Sequence, residues 1–348
     1  MLAVRLLAVV LLAACTADAQ HEITVPGPLL TETGRLREAG WSPRQLLTYD
    51  AERVADPARL RQWDFFTVFD DRQAVNVTIG DMGWLRVCSV SAVDFVAGEV
   101  TQAMVVNKDV ALSAGLEGRA TCTADGVVVM EQTTDGDGSD VRFDIADPLF
   151  GSPGTGALAI DRRPDLPYLS LAMPFPGDPV GFFYEQKVPG MAASGTIALG
   201  DKTFTFDAAA AVIDWGRGVW PAKPTWHWAA GSGVVAGVPL SFNLGNGFGD
   251  DGAATENLVV YGDVPYKLGR VTWSYDAADP MQPWTFEGDG VSLVLTPSAR
   301  EVGGPEFGPR YFLVHKGYGR LSGTIELAGD TLVVDGLLGF AEHVEVSW

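Results

Sequence analysis

The residue types best suited to chemistry concentrate between positions 214 and 257. Asp214, Arg217, His227, Asn243, Asn246, Asp250, Glu256 and Asn257 are interleaved there with Trp220, Trp226 and Trp228. Four of the ten tryptophans in the chain fall within residues 215–228. A carboxyl group set among indole rings is poorly solvated, so its pKa rises towards neutrality, where a group both gives and takes protons. Asp214 and Glu256 are therefore the candidate catalytic pair. An Arg217 guanidinium close to either would oppose that rise. Asn243 or Asn246 suits the stabilisation of developing charge. Aromatic walls with a few converging polar groups also describe a ligand pocket. The competing structural reading is that Asp214 and Arg217 pair to fix a corner, the tryptophans fill a core, and Asn246, Asp250 and Asn257 satisfy turns.

Other motifs do not extend this set. No Gly-x-Ser-x-Gly elbow occurs. The run from Gly195 to Lys202 has Asp201 where a phosphate-binding loop needs lysine, and reads as a hairpin. Gly154–Ala159 has dinucleotide-loop spacing without a following helix. His21, His227, His315 and His343 show no metal-ligand spacing, and Asp135–Asp140 lacks the distal glutamate of a calcium loop. No metal and no cofactor are expected. With 24 Lys+Arg against 44 Asp+Glu, the net charge is 24 − 44 = −20. That charge repels a phosphate backbone, so nucleic acid is not an expected partner.

The elements that must position these groups are short strands. Gly (41) and Pro (21) punctuate the chain, no stretch holds a helical period over a dozen residues, and roughly eighteen strand-like runs follow one another after Asp64. So many strands exceed one sandwich and predict an all-β chain of two antiparallel units, barrels or sandwiches packed side by side. The divisions expected are a leader over 1–20, an irregular segment over 21–64, a first β domain over 65–200 and a second over 201–348. The alternation His343-Val344-Glu345-Val346-Ser347-Trp348 predicts a strand that closes the second unit, pairs with an early strand of that unit or with the strand before it, and could carry Glu342 and His343 towards the 214–228 block.

The N-terminus predicts export. The apolar run Leu6–Ala14 is too short to span a bilayer and fits a signal-peptide core. It ends in Leu12-Ala13-Ala14-Cys15, the pattern of a lipobox, which makes Cys15 a lipidation site. Ordinary cleavage after Ala17-Asp18-Ala19 is the alternative. A lipid-anchored protein at the periplasmic face of a bacterial membrane is expected, and Thr16 in place of an aspartate after Cys15 favours the outer membrane. Cys88 and Cys122 then remain, either as a disulfide or as two buried thiols.

Eight segments stand out together: ITVPGPLLTETGRLREAGWS (23–42), DWGRGVWP (214–221), TWHWA (225–229), FNLGNGFGD (242–250), TENLVVYGD (255–263), YKL (266–268), VHKGYGRLSGTIEL (314–327) and LLGFAEHVEVSW (337–348). In these segments the chain resembles the bacterial domain-of-unknown-function 2804 family. The resemblance covers nearly the whole chain after the leader, in order. That family has no assigned activity, so the resemblance brings no catalytic residues. More distantly the pattern is similar to two-barrel lipocalin-like proteins that include carotenoid hydratases and some cyclases, which implies lipocalin-like barrels. Three functions follow as expectations. The first is an exported protein that binds a small apolar or amphipathic ligand in a Trp-rich pocket lined by Arg217, Trp220, Trp226, His227, Trp228, Asn243, Asn246, Asp250, Asn257, Glu342 and His343. The second is an enzyme using Asp214 and Glu256 for acid–base hydration, isomerisation or cyclisation of an apolar substrate. The third is carbohydrate binding or hydrolysis.

Overall fold

The computed structural model describes residues 20–163 and 165–348, so Cys15 and the leader lie outside the described residues. Among the described residues the chain is strand and turn throughout, with two single-turn 3-10 segments, Ala51–Arg53 and Pro57–Arg59, as its helical elements. Among the described residues no helix is long and apolar enough to cross a membrane.

The strands that build the site are numbered in chain order: β1 Leu60–Phe69, β2 Gln73–Asp81, β3 Arg86–Asp94, β4 Glu99–Val106, β5 Gly118–Ala124, β6 Asp178–Leu199, β7 Lys202–Val219, β8 Thr225–Val235, β9 Val238–Asn246, β10 Val291–Gly303, β11 Arg310–Leu327 and β12 Asp330–Ser347. They fall into two antiparallel sheets. In the first, β4, β3, β2, β1, β7 and β6 are consecutive neighbours, and the path continues through three further strands to β5. In the second, the neighbours run β9, β8, β12, β11, β10. Each sheet curls into a half-barrel around its own apolar filling. The curl of the first is visible in the Cys88–Cys122 disulfide: β3 and β5 lie far apart along the sheet path, yet their Cα atoms are 6.4 Å apart.

Two sequence boundaries move. The chain changes sheets between Val219 and Thr225, so β7 belongs to the first sheet, whereas the division at 200/201 put it in the second. Gly200 and Asp201 turn a hairpin; Pro221 and Pro224, which have no N–H to give a ladder, interrupt the pairing. Likewise Leu60–Asp64 already pair as strand, so the irregular segment ends at Arg59. Part of that segment, Gly40–Ser42, pairs with Leu169–Phe175 on the first half-barrel. The last strand, β12, pairs with both β8 and β11. It is a central strand and not the closing one, because the ends of the second sheet are Val264–Lys267 and Thr272–Ser274.

Candidate active site

Strand register aligns two facing rows of side chains. In the first sheet Lys187, Asp214, Phe65, Thr78, Ser89 and Met104 are direct cross-strand partners from β6 to β4. In the second sheet Gly245, Trp228, Glu342, Lys316 and Glu301 stand in line from β9 to β10. Between the sheets is a cavity of 420 Å³, within the range of small-molecule sites. Its walls are largely aromatic and aliphatic, among them Trp63, Phe65, Trp226, Trp228 and Phe312, and Asp214, Glu301, Lys316 and Glu342 open onto it.

Behind Asp214 lies a buried ion cluster. Lys187 Nζ is 2.9 Å from Asp214 Oδ2, 3.5 Å from Glu185 Oε2 and 3.5 Å from Glu256 Oε1. It also sits 4.0 Å from the centre of the Trp228 ring. Lys316 Nζ lies 5.5 Å from the centre of the same indole, 3.2 Å from Glu342 Oε2 and 3.9 Å from the Phe340 ring centre. All six ionisable side chains are buried. Two ammonium groups against four carboxyl groups would leave a charge of −2 in a low-dielectric interior if all ionised, and such a deficit is met by holding protons. The individual groups agree. Burial, reinforced by the Glu256 charge, lifts Glu185 well above the carboxylate range. Burial raises Glu256 to about 7 against the pull of Lys187. Burial likewise raises Glu342 against Lys316. For Lys187 burial opposes the charge, but Asp214, Glu185 and Glu256 outweigh it and hold the ammonium above its usual range.

Two of the carboxyl groups that face the cavity, Asp214 and Glu342, differ. Asp214 Oδ1 is buried with no hydrogen-bond partner while Oδ2 meets Lys187, so one oxygen is free to accept a proton. Glu342 is a raised carboxyl beside it in the lining. Deeper in, Glu301 accepts from Asn76 Nδ2 and Ser91 Oγ, both at 2.7 Å, and Tyr318 OH accepts from Asn76 Nδ2 at 2.9 Å.

The expected residues divide between this site and its scaffold. Asp214, Trp226, Trp228 and Glu342 line the cavity. Glu256 reaches Lys187 but does not line the cavity; it occupies the space that a side chain at Gly245 would need, where a Cβ would fall 2.3 Å from its Cδ. Asn243 fixes two of these parts: its Oδ1 accepts from Trp228 Nε1 at 2.7 Å and its Nδ2 donates to the Glu256 carbonyl at 2.7 Å. Asn257 accepts from Gly245 N and donates to the Gly269 carbonyl. Trp220 is buried among Trp63, Phe183 and Phe248 and does not line the cavity.

Arg217 is not a ligand group. Three residues along a strand reverse the face, so Arg217 points away from Asp214 into the first half-barrel. There it donates to Asp64 Oδ1 at 2.7 Å and to the Trp63, Gly216 and Ser113 carbonyls. The same alternation puts His227 and His343 on the opposite face from Trp228 and Glu342. Asn246 and Asp250 are exposed; Asp250 accepts from Gly252 N in a turn. Sequence reasoning missed Lys187, Lys316 and Glu185. The available signal was a lysine within strand runs, GFFYEQKV and YFLVHKGYG, beside residues that alternate into a core.

The family described as domain of unknown function 2804 (DUF2804) matches residues 20–348. The chain belongs to that family. No curated protein matches it. Among solved structures it is similar to CghA, at a TM-score of 0.51 and 14% identity over 93% of this chain and 98% of that one. CghA with Sch210972 gives a TM-score of 0.49 at 13% identity, over 83% and 88% of the two chains. Kievitone hydratase from Nectria haematococca gives 0.43 at 12% identity, over 83% and 88%. At these identities the likeness to CghA concerns the fold, and the fold of this member of the 2804 family is the two-unit lipocalin-like one.

Proposed function

We propose that the inter-sheet cavity is the active site of an enzyme that performs acid–base chemistry on an apolar substrate, by hydration or dehydration of a carbon–carbon double bond or by the related isomerisation or cyclisation. The observation that carries this reading is the set of two ammonium and four carboxyl groups buried around Trp228, with a raised carboxyl, Glu342, and a half-free carboxylate, Asp214, opening together onto apolar walls. A pocket that only holds a hydrocarbon gains nothing from buried ions, each of which costs desolvation.

For hydration the steps balance as follows. The Glu342 carboxyl gives its proton to one alkene carbon. The positive charge on the other carbon faces the rings of Phe65, Trp226 and Trp228, whose π-faces attract it. A water molecule forms the new C–O bond and loses a proton to Asp214 Oδ1. Solvent then returns Glu342 and Asp214 to their starting states. Lys187 pairs with Asp214 Oδ2, leaving Oδ1 open to the cavity, and Lys316 limits how far Glu342 rises.

Incubation with a panel of terpenoid and aryl alkenes in D₂O tests this. Carbon-bound deuterium in a product or in recovered substrate is the expected result. Tight binding of panel members with no deuterium entering any of them would overturn the enzymatic reading in favour of a binding protein, the reading that the aromatic walls alone would support.

Attachment to a bacterial envelope through a lipid on Cys15 is also our proposal, resting on the Leu6–Cys15 pattern. The mass of the mature chain from its host is expected to match an acylated Cys15 N-terminus. A mature chain that starts at Gln20 would contradict it.

A further inference from the structure

The face of the second sheet that points away from the cavity carries a different set of groups. His227, His343 and His315 are direct cross-strand partners on β8, β12 and β11. His343 Nδ1 lies 3.0 Å from His227 Nε2, and the Tyr275 hydroxyl lies 2.9 Å from the same nitrogen. The other nitrogen of His343, Nε2, lies 3.1 Å from Glu345 Oε1. Trp273 packs against His227, and Trp284 stacks on Tyr275 at 4.2 Å, which walls the group on its inner side.

We propose that His227 Nε2, His343 Nδ1 and the Tyr275 oxygen form a binding site for a late divalent transition-metal ion, with copper(II) the best fit. The separations of 3.0 and 2.9 Å are hydrogen-bond lengths that bring the three donor atoms together at His227 Nε2. A donor set of two imidazole nitrogens and one oxygen suits copper(II) or nickel(II). Among the described residues no three His, Cys, Asp or Glu side chains converge on one point, so the phenol oxygen is the necessary third donor.

The surroundings match what ligating imidazoles need. A metal-bound histidine usually donates its second N–H to a carboxylate, which is the role of Glu345 towards His343 Nε2. His227 Nδ1 is buried with no hydrogen-bond partner. It receives the His227 proton when Nε2 turns to the metal, so both imidazoles bind as neutral ligands. Tyr275 alone loses a proton, which is released to solvent, as its oxygen bonds the ion.

Copper(II) chloride is titrated into the chelator-treated full chain with the Cys15 thiol alkylated. One equivalent per chain is expected, with electron-spin resonance hyperfine structure from two imidazole nitrogens and a phenolate-to-copper absorption band. Tyr275→Phe removes that band without changing the circular dichroism of the fold. Glu345→Gln weakens binding by about 10–100-fold, the usual cost of losing such a second partner. Several weak equivalents whose affinity is the same in His227→Gln, or a band that persists in Tyr275→Phe, would overturn the site and mark the binding as adventitious.

Discussion

Lys187→Met is expected to lower the unfolding free energy by about 3–5 kcal/mol, the cost of removing one partner from a buried ion pair. The ammonium at this position faces Asp214, Glu185 and Glu256 at 2.9, 3.5 and 3.5 Å. A methionine fills similar volume, so little of the loss comes from packing. The loss arises because Asp214 is left in the interior without a counter-charge. A protein of ordinary stability holds about 5–15 kcal/mol in total, so the variant should sit near its unfolding threshold at growth temperature. The companion Lys187→Met with Asp214→Asn removes both charges and should recover most of the loss. Urea unfolding of the two variants reads this directly. A single variant within about 1 kcal/mol of wild type, or a double variant no better than the single, would mean that Lys187 and Asp214 are not coupled.

The second large effect is on turnover. Glu342→Gln keeps the shape of the side chain but cannot supply a proton, and positioned general acids contribute about 10²–10⁴-fold. Solvent-deuterium incorporation into a turned-over alkene should fall by that factor with KM little changed. Asp214→Asn should do the same for the other half of the reaction, while keeping one contact to Lys187 through its amide oxygen. Arg217→Met is a contrasting case. Arg217 holds three backbone carbonyls and Asp64 inside the first half-barrel, so the variant should lose stability. A rate that survives in Glu342→Gln would move the acid elsewhere in the cavity.

Much of the architecture was legible in residue order because a strand declares itself locally. The alternation of His343–Ser347 marked a real strand, and Gly and Pro marked the turns. Its partners were legible too, since it pairs with an early strand of the second sheet and with the strand before it; what residue order did not show is that this pairing puts it in the middle of an open sheet. The site was half legible. Trp226, Trp228 and Asp214 do line the cavity. Arg217 was grouped with Asp214 by nearness in sequence, although a spacing of three in a strand separates the faces. Lys187 and Lys316 were passed over because a lysine in a strand normally points to water. Only the docking of one half-barrel on the other buries them, and no local pattern reports that docking. Glu342 was found as a candidate, but its partner Lys316 stands opposite it on the neighbouring strand, 26 residues earlier in the chain.

The central claim is that the folded interior holds protonated carboxyl groups beside the cavity, and infrared spectroscopy of the carboxylic-acid carbonyl stretch tests it most directly. At pH 6 the account predicts bands of protonated carboxyl that shift in D₂O. One component should bleach with a midpoint near the Glu256 value of about 7, and another should disappear in Glu342→Gln. Absence of any protonated-carboxyl band from the folded protein at pH 6 would contradict the account.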